Sequence, residues 1–86
     1  MEIEHKKWYL SEFVHVDGYH EIVMNIVDIC NMKNEITVAI TDQGKIFVQH
    51  FELKRDGERL YFEYGRMLEK IDLDEFQQVN QNRSPF

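Results

Sequence analysis

The sequence predicts a mainly β fold, a small SH3-like or OB-like antiparallel barrel of about five or six strands closed by a short C-terminal helical turn. Three observations carry that prediction. Glycine-centred turn sequences recur between apolar runs, at Asp17-Gly18, Asp42-Gln43-Gly44-Lys45 and Asp56-Gly57, which is the punctuation of a β-meander. The segment Glu35 to Thr41 alternates, with Ile36, Val38 and Ile40 on one side and Glu35, Thr37, Ala39 and Thr41 on the other. The single proline is Pro85, so no proline interrupts an element in the body of the chain.

The first turn, Asp17-Gly18, leads into residues 19–32, which admit two readings. On a helical wheel Glu21, Asn25, Asp28 and Asn31 share one arc and Ile22, Val23, Ile26, Val27, Ile29 and Cys30 the other, with Met24 alone misplaced. Against the helix, β-branched residues dominate Ile22 to Ile29, and Asn31-Met32-Lys33-Asn34 reads as a second turn. A strand is the preferred reading. The alternative is an α+β fold in which a helix over 18–31 packs on a three- or four-stranded antiparallel meander.

The turn after Thr41 allows two registers. A three-residue loop with a bulge at Gly44 pairs Ile40 with Ile46 and Val38 with Val48; a four-residue loop pairs Ile40 with Phe47 and Ile36 with Phe51, placing Gln49 on the core face. For the next hairpin, an Asp56-Gly57 loop opposes Arg55 with Glu58, Leu53 with Leu60 and Phe51 with Phe62. That arrangement gathers Phe51, Leu53, Leu60, Phe62 and Tyr64 on one face. Near the end of the body, Asp72 is a helix N-cap with Glu75 as its capping-box partner, and Ile71 with Phe76 forms a hydrophobic staple.

Eighty-six residues make one domain, expected over 1–79, with a polar tail at 80–86. Hydrophobic residues are 43% of the chain and aromatics 13%, enough for a folded core. Sixteen acidic against ten basic residues give a net charge of −6, the wrong sign for coating nucleic acid or an anionic membrane. The longest apolar run, Ile22 to Cys30, falls far short of the roughly 20 residues that span a bilayer. A lone cysteine, Cys30, and the lack of a signal-peptide pattern point to a cytoplasmic location, and Cys30 itself reads as a small core residue.

The chemistry-bearing residues form no pattern of a reaction. His5, His15, His20 and His50 have no metal-ligand spacing, although His15 and His20 fall diagonally across the first hairpin with Glu12 or Glu21 nearby. Neither Ser11 nor Ser84 sits in a nucleophile's turn, and phosphate-binding glycine loops are missing. Neither an enzyme nor a metal or cofactor is therefore expected. Two binding functions follow. The first is a non-catalytic acidic protein-binding module, a small regulator, adaptor or inhibitor, anchored by exposed aromatics among Trp8, Tyr9 and Tyr19. The second is binding of single-stranded nucleic acid through Lys54, Arg55, Arg59, Tyr61 and Arg66 around the Asp56-Gly57 turn, where Glu52, Glu58 and Glu63 cancel much of the field. The net charge favours the first.

Overall fold

A computed structural model describes residues 11–78, and within them each apolar run is a strand. In chain order these are β1 (Ser11–Asp17), β2 (His20–Cys30), β3 (Glu35–Asp42), β4 (Lys45–Glu52), β5 (Lys54–Asp56), β6 (Arg59–Tyr64), β7 (Glu69–Asp72) and β8 (Gln77–Gln78), with a 3-10 turn at Leu73–Glu75 between the last two. The mainly β class is as the sequence predicts. The strands form two antiparallel sheets, one in the order β4-β3-β2-β1-β8 and one in the order β5-β6-β7, and no closed barrel is present among the described residues. The C-terminal helical turn is the single 3-10 turn: Asp72 caps it, its Oδ1 accepting the Asp74 N–H at 2.8 Å, and Ile71 and Phe76 are buried on either side.

Residues 20–30 are strand, which overturns the helical alternative, and the reason the wheel looked helical is visible. Ile22, Met24 and Ile26 face the core with the two-residue period of a strand. Between Ile26 and Asp28 the register with β3 slips by one residue, a β-bulge, so the next core residue is Ile29. The three-residue step from Ile26 to Ile29 is what imitated a helix. Met24, the one residue the wheel misplaced, is fully buried at the centre of the sheet. Cys30 is only half-buried at the end of β2, paired across from Glu35, so it is not a core residue.

The tight turns share one rule, and it corrects two registers. In the hairpins β1–β2 and β5–β6 the pairs next to the loop are Asp17 with His20 and Asp56 with Arg59, so the loops are Gly18-Tyr19 and Gly57-Glu58 rather than Asp17-Gly18 and Asp56-Gly57. Gly57 takes the first loop position at φ 66°, a left-handed conformation a side chain opposes, and the aspartate stays at the strand end. Arg55 therefore opposes Leu60, and Phe51 and Phe62 are not strand partners. They meet all the same, because Phe51 lies on the five-stranded sheet and Phe62 on the three-stranded one, with ring centroids 4.8 Å apart across the interior. The β3–β4 turn adopts the second of its two registers, Ile40 with Phe47 and Ile36 with Phe51, through a two-residue loop in which Gln43 and Gly44 both have positive φ.

The core lies between the sheets. Ile22, Met24, Ile26, Ile29, Ile36, Val38 and Ile40 line it from one side and Phe62, Ile71, Leu73 and Phe76 from the other, with Phe13, Phe51, Leu60 and Tyr64 packed at its margins. The smaller sheet meets β4 only at its Phe51 end, which is consistent with Phe47 and Gln49 being exposed although their strand partners Ile40 and Val38 are buried.

Asn34 holds the crossing from one sheet to the other. It closes the β2–β3 turn at φ 55°; its carbonyl accepts the Leu53 N–H at 2.9 Å and its side-chain Oδ1 accepts from Arg55 Nη1 at 2.6 Å. Asn34→Ala removes the side chain most tolerant of that conformation together with the Arg55 contact, and is expected to cost about 1–2 kcal/mol. Denaturant titration reads it, and an unshifted midpoint would show that the side chain does not hold the crossing.

Candidate functional site

Of the first candidate site, only Tyr19 falls among the described residues. Trp8 and Tyr9 lie outside the described residues. Tyr19 is the second residue of the β1–β2 loop and is fully exposed, where nothing prevents its ring from meeting a partner. Arg66, in the turn between β6 and β7, is also exposed.

Lys54, Arg59 and Tyr61 do share a surface, the solvent face of the three-stranded sheet, since Lys54 opposes Tyr61 and Asp56 opposes Arg59. Each cation there has a counter-charge or a ring. Lys54 Nζ is 3.4 Å from Glu63 and 3.9 Å from Glu52, and Glu63 holds its ammonium above the ordinary lysine range with help from Glu52. Arg59 Nη1 reaches Asp72 Oδ2 at 3.0 Å, and Lys70 Nζ stands 5.2 Å from the Tyr61 ring centroid. Arg55 belongs to the opposite side of β5 and is bound to Asn34. The face thus sets Lys54, Arg59 and Lys70 against Asp56, Glu63 and Asp72, an alternating lattice with little net field for a phosphate chain to sense.

The surface that sequence reasoning missed is the outer face of the five-stranded sheet. Register aligns Val14, Val23, Thr41 and Ile46 in one row across four strands, and Glu12, Asn25, Ala39 and Val48 in the next. Val14, Val16, Ile46 and Val48 are exposed there by 46%, 63%, 68% and 60%, around half-buried Val23, Ala39 and Thr41. Among the described residues this face carries the carboxylates Glu12, Glu21, Asp28, Glu35 and Glu52, which flank the apolar rows, with His50 3.8 Å from Glu35. Had each strand been read for both of its faces, β-branched residues at Val14, Val16, Val23, Ile46 and Val48 would have been the signal.

The histidines disperse. His15 Nε2 is 3.4 Å from Glu69, His20 Nδ1 is 3.0 Å from Asp42 without hydrogen-bond alignment, and His50 hydrogen-bonds Thr37 at 2.9 Å with Glu35 3.8 Å away. Among the described residues no three His, Cys, Asp or Glu side chains are grouped to hold a metal ion, and no helix is long and apolar enough to cross a membrane. A shallow recess between β1 and the β6–β7 turn brings His15, Tyr64, Arg66 and Glu69 together, with Gly65 and Met67, and carries no serine, cysteine or threonine. Comparison with protein-family models, with curated proteins and with solved structures finds no match to this chain.

Proposed function

We propose that the protein is a non-catalytic protein-binding module, a small cytoplasmic regulator, adaptor or inhibitor, that takes its partner on the outer face of the five-stranded sheet. The observation that supports this reading is the apolar centre of that face, Val14, Val16, Ile46 and Val48 standing open beside Val23 and Ala39. Scattered apolar side chains on a surface mean little, whereas a contiguous patch rimmed by charge has the composition of an interface. Carboxylates dominate the rim, so the complementary surface has an apolar centre and lysines or arginines around it. Tyr19 stands at the end of the same sheet, beyond Val16, and serves as an aromatic anchor at the margin.

Affinity capture followed by mass spectrometry, comparing the native protein with Val16→Lys, tests the reading. Val16 is exposed, so its replacement leaves the core intact; the expected result is a basic partner held by the native protein and lost by the variant. Retention of every captured protein by Val16→Lys would remove this face from consideration. The second reading, single-stranded nucleic-acid binding by Lys54, Arg55 and Arg59, is tested by fluorescence anisotropy with labelled oligonucleotides. Binding weaker than micromolar at physiological salt is expected, since Lys54 and Arg59 already stand beside carboxylates. Micromolar binding abolished by the triple alanine variant would put the nucleic-acid reading first.

A further inference from the structure

The described strands that end a sheet are unequally guarded. β8 is two glutamines, β5 is Lys54-Arg55-Asp56 and β7 is Glu69-Lys70-Ile71-Asp72, so each is short and polar or charged, the usual defences of a strand edge against pairing with another chain. The length of β1 beyond β8 packs instead on the chain opposite: His15 meets Tyr64 of β6 edge-on at 5.9 Å and Glu69 of β7 at 3.4 Å, and Phe13 meets Phe76, which follows the 3-10 turn, at 5.6 Å. β4 has none of these protections. It runs eight residues, keeps an unbroken register with β3, contains no proline, and carries no lysine, arginine, aspartate or glutamate from Ile46 to Phe51. Ile46 and Val48 are exposed on one face and Phe47 on the other.

We infer that the β4 edge is a homodimer interface, on which a second copy of the chain adds its own β4 in antiparallel pairing about a two-fold axis. Such an edge asks for an extended strand, since its free backbone groups must be met by another backbone. The two-residue Gln43-Gly44 loop makes Asp42 and Lys45 a hydrogen-bonded pair, so Phe47, Gln49 and Phe51 spend their backbone groups on β3 and Ile46, Val48 and His50 point theirs outward.

A two-fold axis normal to the sheet then requires the residues that oppose each other to lie on the same face. The register with Val48 opposite its own copy pairs residues 45–51. It sets Ile46 opposite His50 of the second copy and Phe47 opposite Gln49, forms about six inter-chain hydrogen bonds, and opposes no like charges. Centring on Phe47 shortens the ladder, and centring on Gln49 sets Ile46 against Glu52.

Charge and symmetry both favour a second copy over a foreign strand. In a chain of net charge −6, β4 carries one cation, Lys45, at one end and one anion, Glu52, at the other, so antiparallel copies bring unlike ends together. Among the described residues β4 is the one edge left unguarded, and an isologous pairing uses it on both copies, so assembly stops at two chains instead of growing into a fibre. This inference concerns the sheet edge and stands apart from the partner proposed for the outer face.

Sedimentation velocity over a rising concentration series tests it. The expected result is a concentration-dependent shift from the 10.4 kDa monomer to twice that mass. Val48→Lys sets two ammonium groups beside the axis without touching the core, and is expected to weaken dimerisation at least tenfold while leaving the circular dichroism spectrum unchanged. Val16→Lys, on the same face but at the far side of the sheet, should leave the dimer intact even if it abolishes capture of a basic partner. Amide exchange followed by NMR should show the Ile46, Val48 and His50 amides gaining protection with concentration. A native protein that stays monomeric at several hundred micromolar overturns the inference. So does a dimer lost with Val16→Lys and kept with Val48→Lys, which would mean face-to-face packing, or a mass that keeps rising beyond two chains.

Discussion

Phe62→Ala is expected to lower the unfolding free energy by about 3–5 kcal/mol, the range for removing a buried phenylalanine ring. The ring is 0% exposed and occupies the place where the two sheets meet. Its centroid lies 4.8 Å from that of Phe51 on the larger sheet and 6.4 Å from that of Phe76 after the 3-10 turn, so two other segments close on it. Truncation leaves a cavity that neither sheet can fill without losing its own register. Small domains hold about 5–15 kcal/mol in total, so the variant sits near the limit of folding. Urea titration measures the loss as a lowered midpoint with the slope preserved. Phe51→Ala, at a half-buried position, is expected to cost less, and the order of the two separates a ring that seals the core from one at its margin. An unchanged Phe62→Ala midpoint would mean the sheets do not close on this side chain.

Much of this interior is legible in the sequence, because side-chain alternation survives errors in pairing. Ile36, Val38 and Ile40 are core on any register of their strand, and the group Phe51, Leu53, Leu60, Phe62 and Tyr64 reaches the core although the hairpin that assembled it was drawn one residue off. Placing Asp56-Gly57 in the loop treats the dipeptide as the turn itself. The chain instead gives glycine the first loop position, the one with a positive φ, and lets the following residue, Glu58, fill the second without one. The bulge at Val27 had no such marker, and a one-residue insertion in a strand is what a helical wheel mistakes for its own period. Closure was equally hidden. Whether strands curl into one barrel or part into two sheets depends on where a strand breaks, and the break between β4 and β5 falls at Leu53, an apolar residue with no turn signal around it.

The candidate site was less legible, for a reason of scale. Charged and aromatic residues stand out one at a time, which drew attention to Lys54, Arg55, Arg59 and Tyr19. The apolar outer face comes from four strands, each lending one or two valines or isoleucines, and those residues in isolation read as core. Only the register brings Val14, Val23, Thr41 and Ile46 into one row. Register also shows that Lys54 and Arg59 stand beside Glu63 and Asp72, a neutralisation that linear order only half reveals, because Asp72 is thirteen residues beyond Arg59.

Leu53→Ala is expected to cost about 2–5 kcal/mol, as for other buried leucines, and to do so by loosening the passage between the sheets. Leu53 is the single residue between β4 and β5, 1% exposed, with its N–H donated to the Asn34 carbonyl at 2.9 Å. Backbone and side chain thus act at one point: the hydrogen bond is the last rung of the β3–β4 pairing, fastening the chain to the β2–β3 turn, and the isobutyl group draws it inward to begin the second sheet. Alanine keeps the hydrogen bond and removes the anchor, whereas Asn34→Ala keeps the carbonyl and the anchor and disturbs the turn that presents them. The two substitutions touch the same contact, so their effects should not add, and a double-mutant cycle is expected to show a coupling of about 0.5–1 kcal/mol. Strict additivity, with both single losses present, would mean that turn and anchor hold the sheets independently and that the crossing is not one structural unit.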